Sequence, residues 1–297
     1  MRLLLLLLLA LPLSAATFVS HDGTKLHYDL IGKGEPVLLL SGGPGFSPDY
    51  LRPIADKLGD RYQFVLLHQR GTGRSAVETY DGKVLALANL VGDVEALRRE
   101  LKVNTLTIVA HSFGGIMAMM YAREHPDRIA RLALVDSGGP TLRSVLKLNA
   151  NLEARFTEED RARIREWSDA ERVRENRRRA VLELTRAKTP AYFADRAKAA
   201  PFAAALTEDS FSDAMFLAVV PQMFTLDLRA GLEKLKAPVL IIHGRQDPLE
   251  TAEELQESFP KAHAELIDQA GHFPWVEQPG AFFAALSPFL AGEESCH

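Results

Sequence analysis

A chain of 297 residues, 47% hydrophobic and 25% charged, carries enough apolar material for one large core under an ordinary polar surface. Its net charge of −4 argues against a general nucleic-acid binder. Cys296 is the single cysteine, so no internal disulfide can form and stability has to come from packing.

The N-terminus has the three-part order of an export signal. Met1-Arg2 gives a positive charge, Leu3 to Leu11 is unbroken apolar sequence, Pro12 ends the run, and Ser14-Ala15-Ala16 are the small residues a signal peptidase reads. This predicts a signal peptide over residues 1–16, cleaved near Ala16, and a secreted or periplasmic product. The apolar run is too short to span a bilayer stably, so no membrane insertion is expected after cleavage.

Thr17 to Ser20 and Lys25 to Leu30 alternate apolar and polar residues around Asp22-Gly23, the pattern of a β-hairpin. Pro36 to Leu40 is apolar throughout, as in a strand covered on both faces, and runs into Ser41-Gly-Gly-Pro-Gly45. A helix is expected over Asp49 to Leu58, a strand over Tyr62 to Leu67, and a glycine loop over His68 to Ser75. Leu87, Leu90, Val91, Val94, Leu97 and Leu101 then mark an amphipathic helix.

The next segment, Leu106 to Met117, passes directly from β-rich to helical sequence through Ala110-His-Ser-Phe-Gly114. A strand turning straight into a helix strains its middle residue and thrusts that side chain outward, and the flanking positions must be small. Ala110 and Gly114 meet that demand, which leaves the Ser112 hydroxyl exposed at the positive end of a helix. Ile129 to Val135 is another buried strand, ending at Asp136.

Strands and helices alternate to this point, the signature of an α/β fold with a mostly parallel sheet and helices on both faces. Residues 141–227 break the pattern: they are helical and charge-rich, with Arg161, Arg163, Arg165, Arg172, Arg174, Arg177, Arg178 and Arg179 interleaved with glutamates. Ion-paired, solvated helix faces explain that mixture better than an anion-binding patch. The sheet then resumes with strands at Pro238 to Ile242 and Ala264 to Ile267, and helices over Ala252 to Phe259 and Pro279 to Leu290. The organisation is a core of residues 17–140 and 228–297 interrupted by a helical cap at 141–227.

A serine needs a base to take its proton, and the base needs a carboxylate to hold its tautomer. Asp247 and His272 each follow a strand of the resumed sheet, and strand ends of a parallel sheet share one edge. Ser112, Asp247 and His272 are therefore expected to converge, in the chain order this kind of turn uses. Asp136, which also ends a strand, is the reserve acid, and Asp268 reads as a turn residue. The N–H groups of Gly43 and Phe113 are the candidate donors to a developing oxyanion. Phe113, Phe202, Phe216 and Phe273 are candidate pocket walls. No metal or organic cofactor is required.

These residues resemble the α/β-hydrolase fold along nearly the whole mature chain. Ser41-Gly-Gly-Pro-Gly45, His68-Gln-Arg-Gly-Thr-Gly-Arg-Ser75, the Ser112 elbow, Gly244-Arg-Gln-Asp247 and Gly271-His272 resemble the proline iminopeptidase family in particular. The resemblance implies a serine peptidase that removes an N-terminal residue, proline or another small apolar one, from short peptides through an acyl-enzyme. Ser41 and His68 stand where that family has His and Asp. Trp167-Ser-Asp-Ala-Glu171 resembles its Trp-x-x-Trp-Glu motif, with Ala170 for the second Trp, which makes Trp167 and Glu171 candidates for binding the substrate amine. The alternative is an esterase or lactonase acting on small acyl compounds with the same triad. A non-catalytic binding protein would be expected to have lost a triad member, and a dehalogenase would carry a carboxylate in place of Ser112.

Overall fold

Strands with no polar alternation lie in the middle of the sheet, and the alternating ones lie at its edge. The computed structural model describes residues 13–141 and 143–293. β1 (Leu13–Val19), β2 (Lys25–Gly32), β3 (Glu35–Leu40), β4 (Tyr62–His68), β5 (Leu106–His111), β6 (Ile129–Val135), β7 (Val239–Gly244) and β8 (His263–Ile267) form one sheet in the order β1-β2-β4-β3-β5-β6-β7-β8. β1 and β2 pair antiparallel, β2 joins β4 antiparallel, and every pairing from β4 to β8 is parallel.

Helices cover both faces. α2 (Leu87–Glu100) and α3 (Phe113–Glu124) press Leu90, Val94, Leu97, Met117 and Tyr121 onto one face. α1 (Arg52–Leu58) and α12 (Pro279–Ala291) press Ile54, Leu58, Phe282, Leu286 and Leu290 onto the other. α10 (Ala252–Ser258) and the short α11 (Pro274–Glu277) complete the resumed half. The helix expected from Asp49 begins as a 3-10 turn at Pro48–Leu51, because Pro53 sits within the next turn and cannot donate a backbone bond there.

Six helices stand between β6 and β7: α4 (Arg143–Arg155), α5 (Glu158–Trp167), α6 (Ala170–Glu175), α7 (Arg177–Lys188), α8 (Arg196–Ala205) and α9 (Asp213–Met223). A backbone bridge between Thr141 and Asp227 brings the two ends of this segment together. Many of its arginines are ion-paired: Arg172 to Glu166, Arg177 to Asp213, Arg178 to Glu208 and Asp209, and Arg163 and Arg179 to Glu183. Among the described residues no helix is long and apolar enough to cross a membrane.

The leader read over residues 1–16 falls mostly outside the described residues, as does Cys296. Its last four residues lie in β1, where Leu13 pairs with Ile31 and Ala16 with Tyr28. A cut after Ala16 would leave Thr17–Val19 of that strand.

One buried cation fastens the edge hairpin to the rest. Arg70 is 1% exposed. It grips Asp93 of α2 through Nε (2.9 Å) and Nη2 (2.6 Å), and Asp22 of the hairpin turn through Nη1 (2.5 Å). The neighbouring Gln69 donates its amide to the carbonyl (2.7 Å) and hydroxyl (3.0 Å) of Ser41, so the same loop props the glycine loop after β3. Arg70→Leu strands the Asp93 carboxylate in the interior and is expected to lower the unfolding free energy by about 3–5 kcal/mol. Urea unfolding of the two proteins checks this; a midpoint within error of wild type would show that the ion triad holds nothing.

Candidate active site

The turn from β5 into α3 is a strained elbow. Ser112 has φ 56° and ψ −120°, a conformation that side-chain-bearing residues avoid unless their surroundings impose it. The surroundings do so here. The Ser112 N–H donates to Val135 (3.1 Å), and its carbonyl accepts from Gly138 (2.9 Å), so β6 and the loop after it clamp the turn. A Cβ on Gly114 would lie 2.4 Å from the Leu40 carbonyl, so only glycine lets α3 start this close to β3. The Ser112 hydroxyl is half-buried and has no hydrogen-bond partner among the described residues.

His272 and Asp247 meet at the same edge. The imidazole Nδ1 lies 2.9 Å from Asp247 Oδ2, and Asp247 Oδ1 accepts the Leu249 N–H at 2.9 Å. A carboxylate accepts, so Nδ1 carries the proton, and in the neutral ring Nε2 keeps a lone pair with no partner among the described residues. Burial pushes the Asp247 carboxyl up, but His272, through the positive charge it carries when protonated and through its hydrogen bond, outweighs it and holds the group below the ordinary carboxylate range. The His272 loop is fixed from the cap side. Its N–H donates to Tyr192 (2.8 Å), and a Cβ on Gly271 would sit 2.2 Å from that same carbonyl oxygen. Buried Glu277 accepts the Gly271 N–H (2.6 Å) and the Asp195 N–H (2.9 Å), joining loop and cap again.

The glycine loop after β3 and the start of α3 carry the two candidate oxyanion donors. The Gly43 N–H has no acceptor among the described residues, and Phe113 is the first residue of α3, where backbone N–H groups lack helical partners. The cap reaches this loop too: Ser212 N–H donates to the Gly45 carbonyl (2.9 Å) and Ser47 N–H to Ser210 (3.0 Å).

Beneath the loop runs a directed chain of hydrogen bonds that the sequence did not reveal. Gly42 N–H donates to the Tyr50 hydroxyl (2.7 Å), which lies 2.7 Å from His111 Nδ1. His111 Nε2 lies 2.9 Å from the His272 carbonyl. That carbonyl can only accept, so Nε2 bears the hydrogen. Burial, reinforced by His272, holds the His111 pKa well below its usual value, so its Nδ1 is bare and takes the tyrosine proton. Tyr50 and His111 thus link the glycine loop to the backbone of His272. The only sequence signal for this was a histidine next to the elbow serine.

The substrate-binding expectations divide. Phe273 is buried beside His272 (5.3 Å between ring centroids), His111 (5.5 Å) and Phe202 (4.4 Å), forming an aromatic wall with half-buried Tyr50 and Tyr192. Phe216 is exposed on α9 and touches Phe211, while the Phe113 side chain is buried in the core on the α2–α3 face, so its contribution is limited to its N–H. Trp167 and Glu171 require a correction. Trp167 ends α5 under the Arg172 guanidinium (5.0 Å), and Glu171 is exposed in the first turn of α6. No hydrogen bond, ion pair or ring contact among the described residues joins either to Ser112, Asp247 or His272. The spacing shared with Trp-x-x-Trp-Glu is produced here by the end of α5 and the start of α6, where Asp169 caps α6 through the Glu171 and Arg172 N–H groups.

Asp268 is exposed and ion-paired to Arg245, as a turn residue should be. Asp29, Asp49 and His68 cluster like metal ligands, but the Arg74 guanidinium already pairs with Asp29 and meets His68. Tyr50→Phe removes the acceptor for Gly42 and the donor to His111. If the chain of bonds positions the glycine loop, kcat should fall about tenfold, the rate equivalent of one lost buried hydrogen bond, with KM little changed. Steady-state kinetics on an activated ester decide it, and an unchanged kcat would reduce Tyr50 to a pocket wall.

The profile described as "alpha/beta hydrolase fold" matches residues 35–279. A cis-3-alkyl-4-alkyloxetan-2-one decarboxylase of Shewanella oneidensis is 38% identical over 122 residues, which span 41% of this chain and 38% of that protein. A proline iminopeptidase of Xylella fastidiosa is 28% identical over 314 aligned positions, covering 90% of this chain and 93% of its own. Among solved structures, the proline iminopeptidase-related protein TTHA1809 of Thermus thermophilus superposes with a TM-score of 0.74 at 24% identity, over 94% of this chain and 98% of that one.

Proposed function

This chain belongs to the α/β-hydrolase fold family, and we propose that it is a serine hydrolase whose substrates are esters or other small acyl compounds with an apolar acyl group. The free Ser112 hydroxyl, the Asp247–His272 pair and the unfilled Gly43 N–H support acyl transfer. His272 Nε2 takes the Ser112 proton as Oγ attacks the carbonyl carbon, and the N–H groups of Gly43 and Phe113 hold the oxyanion. The imidazolium then protonates the leaving group. Water, deprotonated by the same nitrogen, releases the acid and regenerates Ser112.

The observation that carries the substrate class is the state of the cap carboxylates. A free α-ammonium needs an unpaired carboxylate facing the pocket. Only Asp160 and Glu183 are buried among the described cap acids, and arginines hold both: Arg196 the first, Arg163, Arg179 and Arg186 the second. Glu277, nearer to His272, spends its two oxygens on backbone N–H groups. An aromatic wall with no unpaired buried cap carboxylate among the described residues suits an uncharged acyl group. The second reading, release of an N-terminal residue from short peptides, is favoured by the iminopeptidase relative that aligns along 90% of the chain. The leader-like residues 1–16 support export, which the intact mass of secreted protein checks.

Rates on a short-chain aryl ester, a prolyl arylamide with a free N-terminus and its N-acetylated form separate the readings. Ester turnover with neither arylamide cleaved is expected. Rapid cleavage of the free-amine arylamide alone would overturn the ester assignment in favour of the aminopeptidase. Ser112→Ala should cut the rate by at least about a thousandfold without changing the circular dichroism spectrum. Wild-type turnover in that variant would remove the acyl-enzyme mechanism altogether.

A further inference from the structure

Asp136 is a second carboxyl group at the site, and the mechanism above does not use it. It follows β6 directly, with a φ of 41° that a side-chain-bearing residue rarely adopts, and it is wholly buried. Neighbouring β7 holds it: Asp136 N–H donates to Ile242 (2.9 Å), and its Oδ1 accepts the Gly244 N–H (2.8 Å). Its Oδ2 is buried with no partner. One oxygen each of Asp136 and Asp247 and one nitrogen of His272 all lie within 4.8 Å of each other.

Two carboxylates this close in the interior cannot both stay ionised without a cation. Among the described residues no lysine or arginine pairs with either. Four titratable groups face Asp136: Asp247 and His243 from β7 and its following loop, His272 after β8, and Glu277 of α11. His243 is buried, with Nδ1 3.8 Å from Asp136 Oδ1, Nε2 3.7 Å from Asp247 Oδ2, and no hydrogen bond to either. Burial pushes its pKa down, so it supplies no charge. Asp247 is committed as an anion by the His272 bond. The remaining proton belongs on Asp136, whose carboxyl is pushed far above the ordinary range by burial and then by the Asp247 charge.

We propose that Asp136 is a protonated positioning residue whose O–H donates to Asp247 and fixes the carboxylate that orients His272. This rests on the triad reading. The arrangement keeps one negative charge, not two, beneath the imidazole, so the imidazolium formed during acyl transfer completes a neutral cluster. It also gives the orphaned Oδ2 a partner.

Infrared difference spectroscopy of wild type against Asp136→Asn at neutral pH tests the proton directly. A protonated-carboxyl C=O stretch should be present in wild type, present in Ser112→Ala, and absent from Asp136→Asn. Its absence from wild type would overturn the proposal. Kinetics test the role: Asp136→Ala should lose about tenfold or more in kcat at unchanged KM, the equivalent of one hydrogen bond to a charged group, and Asp136→Asn, which can still donate, should recover most of it. Wild-type kcat in Asp136→Ala would overturn the role. A dead Ser112→Ala alongside it would show that the triad reading survived.

Stability adds a readout that needs no turnover and survives poor folding of the alanine variant. A group whose folded pKa is raised binds a proton that the unfolded chain releases above about pH 4, so wild type loses stability as pH rises. Asp136→Asn should match wild type near that pH and exceed it increasingly toward pH 8. A pH-independent difference would mean that Asp136 is ionised.

Discussion

The hydrogen bond between Asp247 and His272 is the constraint to which the rest of the site is fitted. It joins two side chains that are each buried at the edge of the sheet, where a carboxylate without a partner would cost several kcal/mol. To make it, the loops after β7 and β8 must approach to contact, and the cap segment at Tyr192 must close on the second loop from above. The fold accepts those approaches because glycine stands where a Cβ would collide with the Tyr192 carbonyl. The position of His272 is thus set by core and cap together.

The same logic extends to the glycine loop. Gln69 props Ser41 from one side, the Tyr50–His111 chain holds Gly42 from below, and the cap segment Ser210–Ser212 lies along Gly45 to Ser47. Behind Gln69, Arg70 ties the loop to the edge hairpin and α2. Ser41 and His68, which depart from the iminopeptidase pattern, serve as scaffold: Ser41 Oγ donates to the Phe46 carbonyl at 2.8 Å, and His68 sits 3.3 Å from Asp29. Neither departure touches the nucleophile.

Local rules made much of this legible. Apolar runs marked the buried strands, the Ala-x-Ser-x-Gly turn marked a strand entering a helix, and carboxyl-edge geometry brought Asp247 and His272 together. The reserve acid Asp136 came to the same place for the same reason, but no sequence rule could say which carboxyl would take the imidazole. That depended on a register in which Asp136 faces Gly244 of the next strand. Tyr192 and Glu277 were illegible because their contacts join the cap to the core across long stretches of chain, and Tyr50 because its hydroxyl meets His111 sixty-one residues on. For Glu171 the opposite holds: the local sequence matches a motif, but the exposed first turn of α6 brings it no partner at the triad among the described residues.

On the proposed reading, it is the cap that would suit a scaffold resembling the iminopeptidases to a different bond. Specificity for an amine depends on leaving a carboxylate unpaired inside the pocket, an arrangement whose desolvation cost is recovered only when an ammonium binds. This cap satisfies each of its buried acids with arginine, and so stabilises itself in the resting state. Glu183 alone meets three of them. On the proposed ester reading, the buried acids of the cap then offer no free charge to an ammonium. Around His272 lies aromatic surface from Phe273, Phe202, Tyr50 and Tyr192, which on that reading would recognise shape and apolar area. On that reading, the arginine content of the cap and the lack of a free buried acid in it are two consequences of the same pairing.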